Sequence, residues 1–263
     1  MRPEPELRGA RRDGLMSWFS AVEPTEDTTT IVLIPGLAVA RYLLPAARCL
    51  ATCSAGPTVL VSPPGFAGSP MICDATVPSH TKALLDWIQR SIPGRVLCVG
   101  HSTGCLLAAG VAAGLGPRCV MLAAVSPVFD PGRSSWPQLG YRFLADGRFE
   151  SPVMFAVQAG EWARGGRGVM PFLRSCRSAD LAAMIDRAAA PTLIVRSEKD
   201  SLSRYEWACE LASRPAPDQR VMVTAPEPGH AFVYRRPAQL AQALRTGSAA
   251  LGVTSLWKSD EST

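Results

Sequence analysis

The stretch VGHSTGC, residues 99–105, decides the fold of this 263-residue chain. Its centre fits the pattern G-x-S-x-G, with Ser102 between Gly100 and Gly104. In that pattern the serine sits on a sharp turn from a strand into a helix, and the turn exposes its hydroxyl. The apolar run at 96–99 predicts the strand, and the small apolar residues at 105–114 predict the helix. A glycine turn that merely joins a strand to a helix has the same five-residue pattern, so the surrounding sequence must decide.

The rest of the chain repeats the same alternation of strand and helix. Short apolar runs predict strands at residues 30–34, 58–61, 96–99, 119–125, 191–196 and 220–224. Helical spacing predicts helices at residues 41–52, 79–91, 105–114 and 237–245. Short strands of uniformly apolar residues that alternate with helices are typical of a parallel sheet covered on both faces. The sequence therefore predicts the α/β class, with a mostly parallel sheet and helices on both sides.

The alternation divides the chain into a core and an insertion. Residues 15–130 and 191–263 are expected to form the core. Residues 131–190 break the rhythm with turn-forming segments and seven large aromatic residues, at positions 136, 141, 143, 149, 155, 162 and 172. An insertion of this size between two core strands predicts a helical cap over one end of the sheet. Residues 1–14, which are charged and contain proline, are expected to form a mobile lead-in.

Composition excludes several classes of function. Hydrophobic residues make up 47% of the chain and charged residues 19%, which is ordinary for a globular protein. The net charge of +5 comes mostly from scattered arginines, and no basic block with interleaved aromatics suggests a nucleic-acid partner. No apolar run approaches the roughly 18 residues that a membrane span needs.

The eight cysteines predict neither a disulfide framework nor a metal site. Cys49 and Cys53 are four residues apart, but no second pair or histidine at ligand spacing completes a zinc site. Several cysteines lie inside apolar runs, where a reduced thiol packs as a small hydrophobic group. With no secretory apolar segment near the start, we expect a cytoplasmic protein.

Catalysis by a serine needs a base that accepts its proton, and the chain has only three histidines. The side chain of His101 diverges from that of Ser102, and His80 belongs to a helix on the far side of a loop. His230 follows the last predicted strand, at the edge of the sheet where Ser102 is expected. A single loop histidine is commonly a surface residue, but this position favours His230 as the base.

The base needs an acid that orients it, and three carboxylates are candidates. Asp200 follows the strand at 191–196 and gives the chain order Ser, Asp, His. Glu198 lies two residues earlier, and Asp130 follows the strand at 119–125. We favour Asp200, with Asp130 as the second candidate.

The remaining site residues are predicted from their positions. The backbone N–H groups of Leu37 and Thr103 are expected to bind the oxyanion that forms during acyl transfer. Gly36 lets the backbone turn tightly enough to direct the amide of Leu37. Five residues are expected to bind substrate: Gly36, His101, Trp136, Phe143 and Trp162.

Four segments in register give the chain a resemblance to a known superfamily. They are IPGLAVARYLLPAARCLA, VLVSPPGFAGSP, VGHSTG, and PTLIVRSEKD with APEPGHAF. Together they resemble the serine-nucleophile α/β-hydrolases of the bacterial esterase and lipase type. Several positions depart from the pattern: Pro35 stands where a histidine is frequent, and Ala67 and Cys105 stand where glycines are frequent. The aspartate that usually opens the second segment is Ser or Pro in SPPGFAG, and Arg196-Ser197 stands where a glycine is frequent.

The resemblance implies an enzyme that cleaves an ester, thioester or lactone through an acyl-enzyme on Ser102. The aromatic cap implies a small-molecule substrate with a hydrophobic or aromatic acyl part, and neither a metal nor a cofactor is implied. A biosynthetic thioesterase or acyltransferase, a lyase-like member and a silent ligand-binding member are the alternatives. Ser102 argues against the subfamilies that use an aspartate at this turn.

Overall fold

The computed structural model describes residues 6–37, 39–131, 135–214 and 219–258. Its centre is an eight-stranded sheet in the order β1-β2-β4-β3-β5-β6-β7-β8. The strands are β1 (Arg8–Arg12), β2 (Leu15–Phe19), β3 (Thr29–Ile34), β4 (Thr58–Val61), β5 (Arg95–His101), β6 (Cys119–Val125), β7 (Thr192–Ser197) and β8 (Arg220–Ala225). The pairs β1–β2 and β2–β4 are antiparallel. Every other pair of neighbouring strands, from β4–β3 to β7–β8, is parallel. The predicted mostly parallel sheet is confirmed.

Helices lie between the strands from β3 onwards and after the last strand. They are α1 (Leu44–Cys53), α2 (Val77–Ser91), α3 (Gly104–Leu115), α4 (Trp136–Gly147), α5 (Pro152–Gly165), α6 (Val169–Ser178), α7 (Leu181–Ala188), α8 (Tyr205–Ser213), α9 (Phe232–Arg235) and α10 (Pro237–Ala250). Proline stands in the first turn of α1, as expected, where its missing N–H costs nothing. The helix α8 was not predicted, because its short apolar face gives only a weak periodic signal.

The two faces of the sheet build two apolar cores. Successive residues of β3 alternate between them, with Val32 and Ile34 in one core and Ile31 and Leu33 in the other. Because side chains of a strand point alternately to opposite faces, a strand that is buried on both sides must be apolar throughout. This explains why the core strands appear in the sequence as uninterrupted apolar runs.

The amino-terminal segment differs from the expectation of a mobile lead-in. Residues 1–5 lie outside the described part of the chain, but Arg8–Arg12 forms the edge strand β1 and pairs with β2 in antiparallel register. Four of its five residues are exposed. An edge strand buries neither face, so its arginines reach solvent and it lacks the apolar pattern that marks the core strands.

The inserted segment is also divided differently from the prediction. The helices α4, α5 and α6 form a cap that contributes much of the wall of a cavity next to Ser102. α7, however, packs on α3 of the core, where Met184 approaches Gly110 so closely that a Cβ there would lie 3.2 Å from its methyl carbon. The core therefore resumes before residue 191.

In the described ranges, no helix has both the length and the apolar character that crossing a membrane requires.

Candidate active site

The G-x-S-x-G stretch forms the predicted turn between β5 and α3. Ser102 has φ +58°, in the left-handed region that side chains rarely adopt, and its side chain stands at the carboxyl end of the parallel strands. A Cβ on Gly104 would overlap the carbonyl oxygen of Ile34, so only glycine lets α3 begin this close to β3. The glycines thus serve the strained turn that presents Ser102.

Ser102, His230 and Asp200 form a continuous hydrogen-bonded chain. The Oγ of Ser102 is 2.8 Å from Nε2 of His230, and Nδ1 of His230 is 3.1 Å from both carboxylate oxygens of Asp200. The backbone N–H groups of Leu202 and Ser203 donate to Oδ1 of Asp200, at 2.9 and 2.7 Å. These bonds fix the carboxylate, which in turn orients the imidazole towards the serine.

The rival acids and the third histidine have other partners. Asp130 accepts a hydrogen bond from Arg204 at 2.8 Å, and Glu198 is exposed. The ring nitrogens of His80 lie 2.9 and 3.1 Å from the backbone carbonyls of Thr76 and Pro64. The structure therefore brings Asp200, rather than Asp130 or Glu198, to His230.

Charge around His230 favours its protonated form. Burial opposes protonation, but the carboxylate of Asp200 and its hydrogen bond, together with the carboxyls of Asp146 and Glu150, raise the pKa of His230 to about 9. Burial also opposes ionisation of Asp200, yet the charge and hydrogen bond of His230 hold the pKa of Asp200 below its usual value. The two residues therefore form an ion pair at neutral pH, and His230 becomes a base when it loses its proton.

His101, next to Ser102 in the turn, contacts the backbone of His230 through its ring. Its Nε2 is 3.0 Å from the carbonyl oxygen of His230, and its Nδ1 is 2.7 Å from the hydroxyl of Tyr42. Burial, with the nearby His230, lowers the pKa of His101 to about 3, so the ring is neutral. The tautomer that fits donates from Nε2 to His230 and accepts the Tyr42 hydroxyl at Nδ1. The same hydroxyl accepts the N–H of Gly36 at 3.1 Å.

The loop after β3 brings Leu37 next to Thr103, the two residues whose N–H groups are predicted to bind the oxyanion. Leu37 has φ +50°, and its N–H donates to Oγ1 of Thr103 at 2.7 Å. A Cβ on Gly36 would lie 2.6 Å from the carbonyl oxygen of His101 and 2.7 Å from the Cβ of Ser102. The absence of a side chain at Gly36 is what allows this loop to approach the serine.

The cap helix α5 holds the same loop from above. The indole Nε1 of Trp162 donates to the carbonyl oxygen of Leu37 at 2.7 Å. The buried carboxylate of Glu161 accepts the backbone N–H groups of Ala40 and Arg41, at 2.8 and 3.3 Å. Two consecutive cap residues therefore fix the backbone on which Leu37 lies.

The end of α4 and the loop after it hold the His230 segment. Asp146 accepts the backbone N–H of His230 at 2.7 Å and that of Ser201 at 3.0 Å. Glu150 accepts the N–H of Ala231 at 2.7 Å. Burial and the neighbouring Asp146 raise the pKa of Glu150 to about 7. Carboxyls of the cap thus contact the loops that carry both His230 and Asp200.

A cavity of about 310 Å³ lies between the cap and the serine. Most of its wall is apolar, and the cap contributes about half of it, including Leu139, Met154, Phe155 and Met170. Four of the predicted binding residues line it, namely Gly36, His101, Trp136 and Phe143. Trp162 does not belong to the described lining, because it stands behind Phe143, with ring centroids 6.4 Å apart, and binds Leu37.

The comparisons with known proteins agree with this architecture. The sequence model of the alpha/beta hydrolase family matches residues 31–243. The chain belongs to the alpha/beta hydrolase family. A search of curated proteins found no match.

Solved structures of the same fold cover nearly all of this hydrolase. A thermophilic esterase from Thermogutta terrifontis, solved with malate, is 17% identical, with a TM-score of 0.70 over 94% of this chain and 99% of the esterase. A serine hydrolase involved in carbazole degradation is 16% identical, with a TM-score of 0.70 over 93% of this chain and 99% of that one. The thioesterase domain from the curacin biosynthetic pathway is 17% identical, with a TM-score of 0.65 over 91% and 99% of the two chains. At these identities the likeness shows the fold.

Several residues that build the site of this hydrolase were not predicted from the sequence. Tyr42 lies in a predicted helix as one more apolar residue, and Asp146, Glu150 and Glu161 resemble solvated charges among the aromatics of the cap. Their partners are backbone groups up to 121 residues away along the chain. The three acids could have been identified only if their burial had been predicted. The burial of cap residues has no local signal in a single sequence.

Proposed function

We propose that this chain is a serine hydrolase that cleaves a carboxylic ester or thioester with a hydrophobic acyl part. The observation that carries the proposal is the hydrogen-bonded chain from Ser102 through His230 to Asp200, at the mouth of an apolar cavity. Neutral His230 accepts the proton of Ser102 as the serine oxygen attacks the acyl carbon. Asp200 stabilises the imidazolium that results.

The oxyanion that forms on the acyl carbon needs donors at a fixed place. In the free protein the N–H of Leu37 donates to Oγ1 of Thr103, which therefore lies where an acceptor is expected. We assign the N–H groups of Leu37 and Thr103 to the oxyanion, which replaces the threonine hydroxyl as the partner of Leu37. Because Trp162 and Glu161 fix the loop, this donor is already in position before the substrate arrives.

The alcohol or thiol leaves after His230 returns the proton, and the acyl group remains on Ser102. Water, activated by the same histidine, then releases the acid. The apolar part of the wall that the cap supplies favours hydrophobic acyl groups. Their burial contributes a binding free energy of about 25 cal/mol per Å² of apolar area removed from water. No step requires a metal ion or an organic cofactor.

A covalent probe tests the proposal most directly. The purified protein and its Ser102→Ala variant are treated with a fluorophosphonate, and the mass added to each is measured. Labelling of the native protein alone is expected. Unlabelled native protein, with no turnover of a panel of aryl esters and acyl thioesters, would refute acyl transfer at Ser102.

A further inference from the structure

One polar side chain in the wall of the cavity has no use in the proposed chemistry. Gln158 lies on α5 and lines the cavity, with 7% of its surface exposed. Its amide oxygen, Oε1, is buried and has no hydrogen-bond partner. The same helix contributes Met154 and Phe155 to the wall.

An unpaired buried amide is expensive. Leaving a buried acceptor without a partner costs about 1–3 kcal/mol, and an apolar side chain of the same length would fill this position without that cost. Polar groups that are placed singly in an apolar pocket are the ones that fix the orientation of a ligand. The unpaired oxygen is therefore the mark of a missing donor on the substrate.

The place of Gln158 on α5 indicates which part of the substrate it meets. Trp162 contacts the loop after β3 that carries Leu37, which we call the oxyanion loop after its proposed role. Gln158 lies one helical turn before Trp162, about 6 Å along the axis of α5. Met154 lies one turn further along the same side of the helix. Gln158 thus lies closer than Met154 does to the turn of α5 that contacts Leu37.

We propose that Gln158 determines the acyl specificity of the enzyme by hydrogen-bonding a hydroxyl group on the acyl chain. The substrate class is then a hydroxyacyl ester or thioester, apolar except for that hydroxyl. A hydroxyl donates its proton to Oε1 and can also accept from the amide nitrogen. An ammonium group fits less well, because a neutral amide does not offset the cost of burying its charge. This inference rests on the proposed function and specifies its substrate.

The test compares matched substrates in matched variants. kcat/KM is measured for methyl octanoate and for its monohydroxylated regioisomers, with the native protein and with Gln158→Met. In the native protein we expect at least one isomer with the hydroxyl near the carbonyl to exceed the parent ester by about 10–100-fold, the equivalent of the missing hydrogen bond. In Gln158→Met this ratio falls towards unity, because the hydroxy ester loses a hydrogen bond that the parent ester cannot form.

Other outcomes decide against the proposal. A native preference for hydroxy esters that survives in Gln158→Met, or a native preference for the parent ester or for the corresponding oxo ester, would overturn it. Met154→Leu, which changes the neighbouring turn without removing a polar group, is expected to keep the hydroxyl preference. Gln158→Leu serves as the second apolar variant if Gln158→Met does not fold.

Two further measurements distinguish this inference from a purely structural role of Gln158 and from the proposed function itself. Gln158→Met is expected to have a Tm no lower than the native protein, since it removes a buried unpaired group. A lower Tm, with an unchanged ratio of kcat/KM between the hydroxy ester and the parent ester, would show that Gln158 has a structural role only. If the fluorophosphonate labels Ser102 in both proteins and the ratio does not change, only this inference fails. If Ser102 is not labelled and no ester is cleaved, the proposed function fails as well.

Discussion

The ring of His101, the residue immediately before Ser102, is 3.0 Å from the backbone carbonyl oxygen of His230. The proposed nucleophile and its base are therefore joined twice, once through their side chains and once through this ring behind them. On its other side the ring contacts the Tyr42 hydroxyl, which accepts the N–H of Gly36 at the start of the oxyanion loop. One short hydrogen-bonded path thus connects the oxyanion loop to the loop that carries His230.

We expect His101→Phe to slow acylation of Ser102, because it removes the bond that fixes the backbone of His230. A small misplacement of a catalytic group can lower a rate on the order of 10²-fold. The measurement is the rate of fluorophosphonate labelling, and of ester turnover, at saturating substrate. Tyr42→Phe keeps the ring but removes the hydroxyl, so it should have a smaller effect of the same sign. Labelling of His101→Phe at the native rate would rule out a positioning role for this ring.

Gly36→Ala should disrupt the site sterically. Its new Cβ would lie 2.6–2.9 Å from atoms of His101, Ser102 and Thr103, none of which can move without moving the serine turn. We expect a loss of stability of about 1–3 kcal/mol in denaturant melts and a large loss of activity.

Gly140→Ala is the matched control for this prediction. Gly140 lines the same cavity but lies within α4, and its Cβ would meet no atom within 4 Å. Alanine in a helix is favoured over glycine by about 1 kcal/mol, so this variant should be as stable as the native protein or more so. Equal effects of the two substitutions would contradict the close approach of the oxyanion loop to Ser102.

The identity of the acid can be decided with two aspartate variants. Asp200→Asn keeps the shape of the side chain but removes the charge that orients and stabilises His230, and we expect kcat to fall on the order of 10⁴-fold. Asp130→Asn weakens an ion pair with Arg204 and should lower kcat by less than about tenfold. A larger loss for Asp130→Asn than for Asp200→Asn would reverse the assignment.

The chain order of strands could be predicted because each core strand is apolar on both faces. Burial of both faces leaves an unbroken run such as residues 30–34, and the glycine turn at Ser102 then fixes where one edge of the sheet lies. β1 and β2 were not predicted, and β1 could not be recognised because the exposed edge strand RGARR has no apolar face. The same chain order predicts Asp200 and His230 near Ser102, since loops after parallel strands meet at one edge, and the three side chains form a hydrogen-bonded chain in the structure.

The contribution of the cap could not be predicted in the same way. Asp146 lies 84 residues from His230 along the chain and binds its backbone N–H, a group that every residue except proline carries. No residue type in the His230 loop therefore signals the partner. Trp162 was expected to touch the substrate because it is aromatic, whereas its indole N–H holds the carbonyl of Leu37. Aromatic composition indicates an apolar cap but does not say which rings face the cavity.

The pH dependence of activity should report the raised pKa of His230. Only the neutral imidazole accepts the proton of Ser102, so kcat/KM rises as pH increases through the pKa of His230 in the free enzyme. Because nearby carboxyls raise that pKa to about 9, the acid limb of the profile should lie well above the usual histidine value of roughly 6.5. The measurement is kcat/KM for a neutral ester between pH 5 and pH 10, with the rate of fluorophosphonate labelling over the same range.

Glu150→Gln should move this limb to lower pH. The pKa of Glu150 is raised to about 7, so its carboxyl is ionised where His230 titrates, and its charge there favours the imidazolium. Glutamine keeps an oxygen that can accept the N–H of Ala231, so the geometry of the loop should be preserved while the charge is lost. Asp27→Asn removes an equal charge from an exposed surface position and should leave the limb in place. An acid limb that stays fixed in Glu150→Gln, or that moves equally in both variants, would show that the cap carboxyls do not set the basicity of His230.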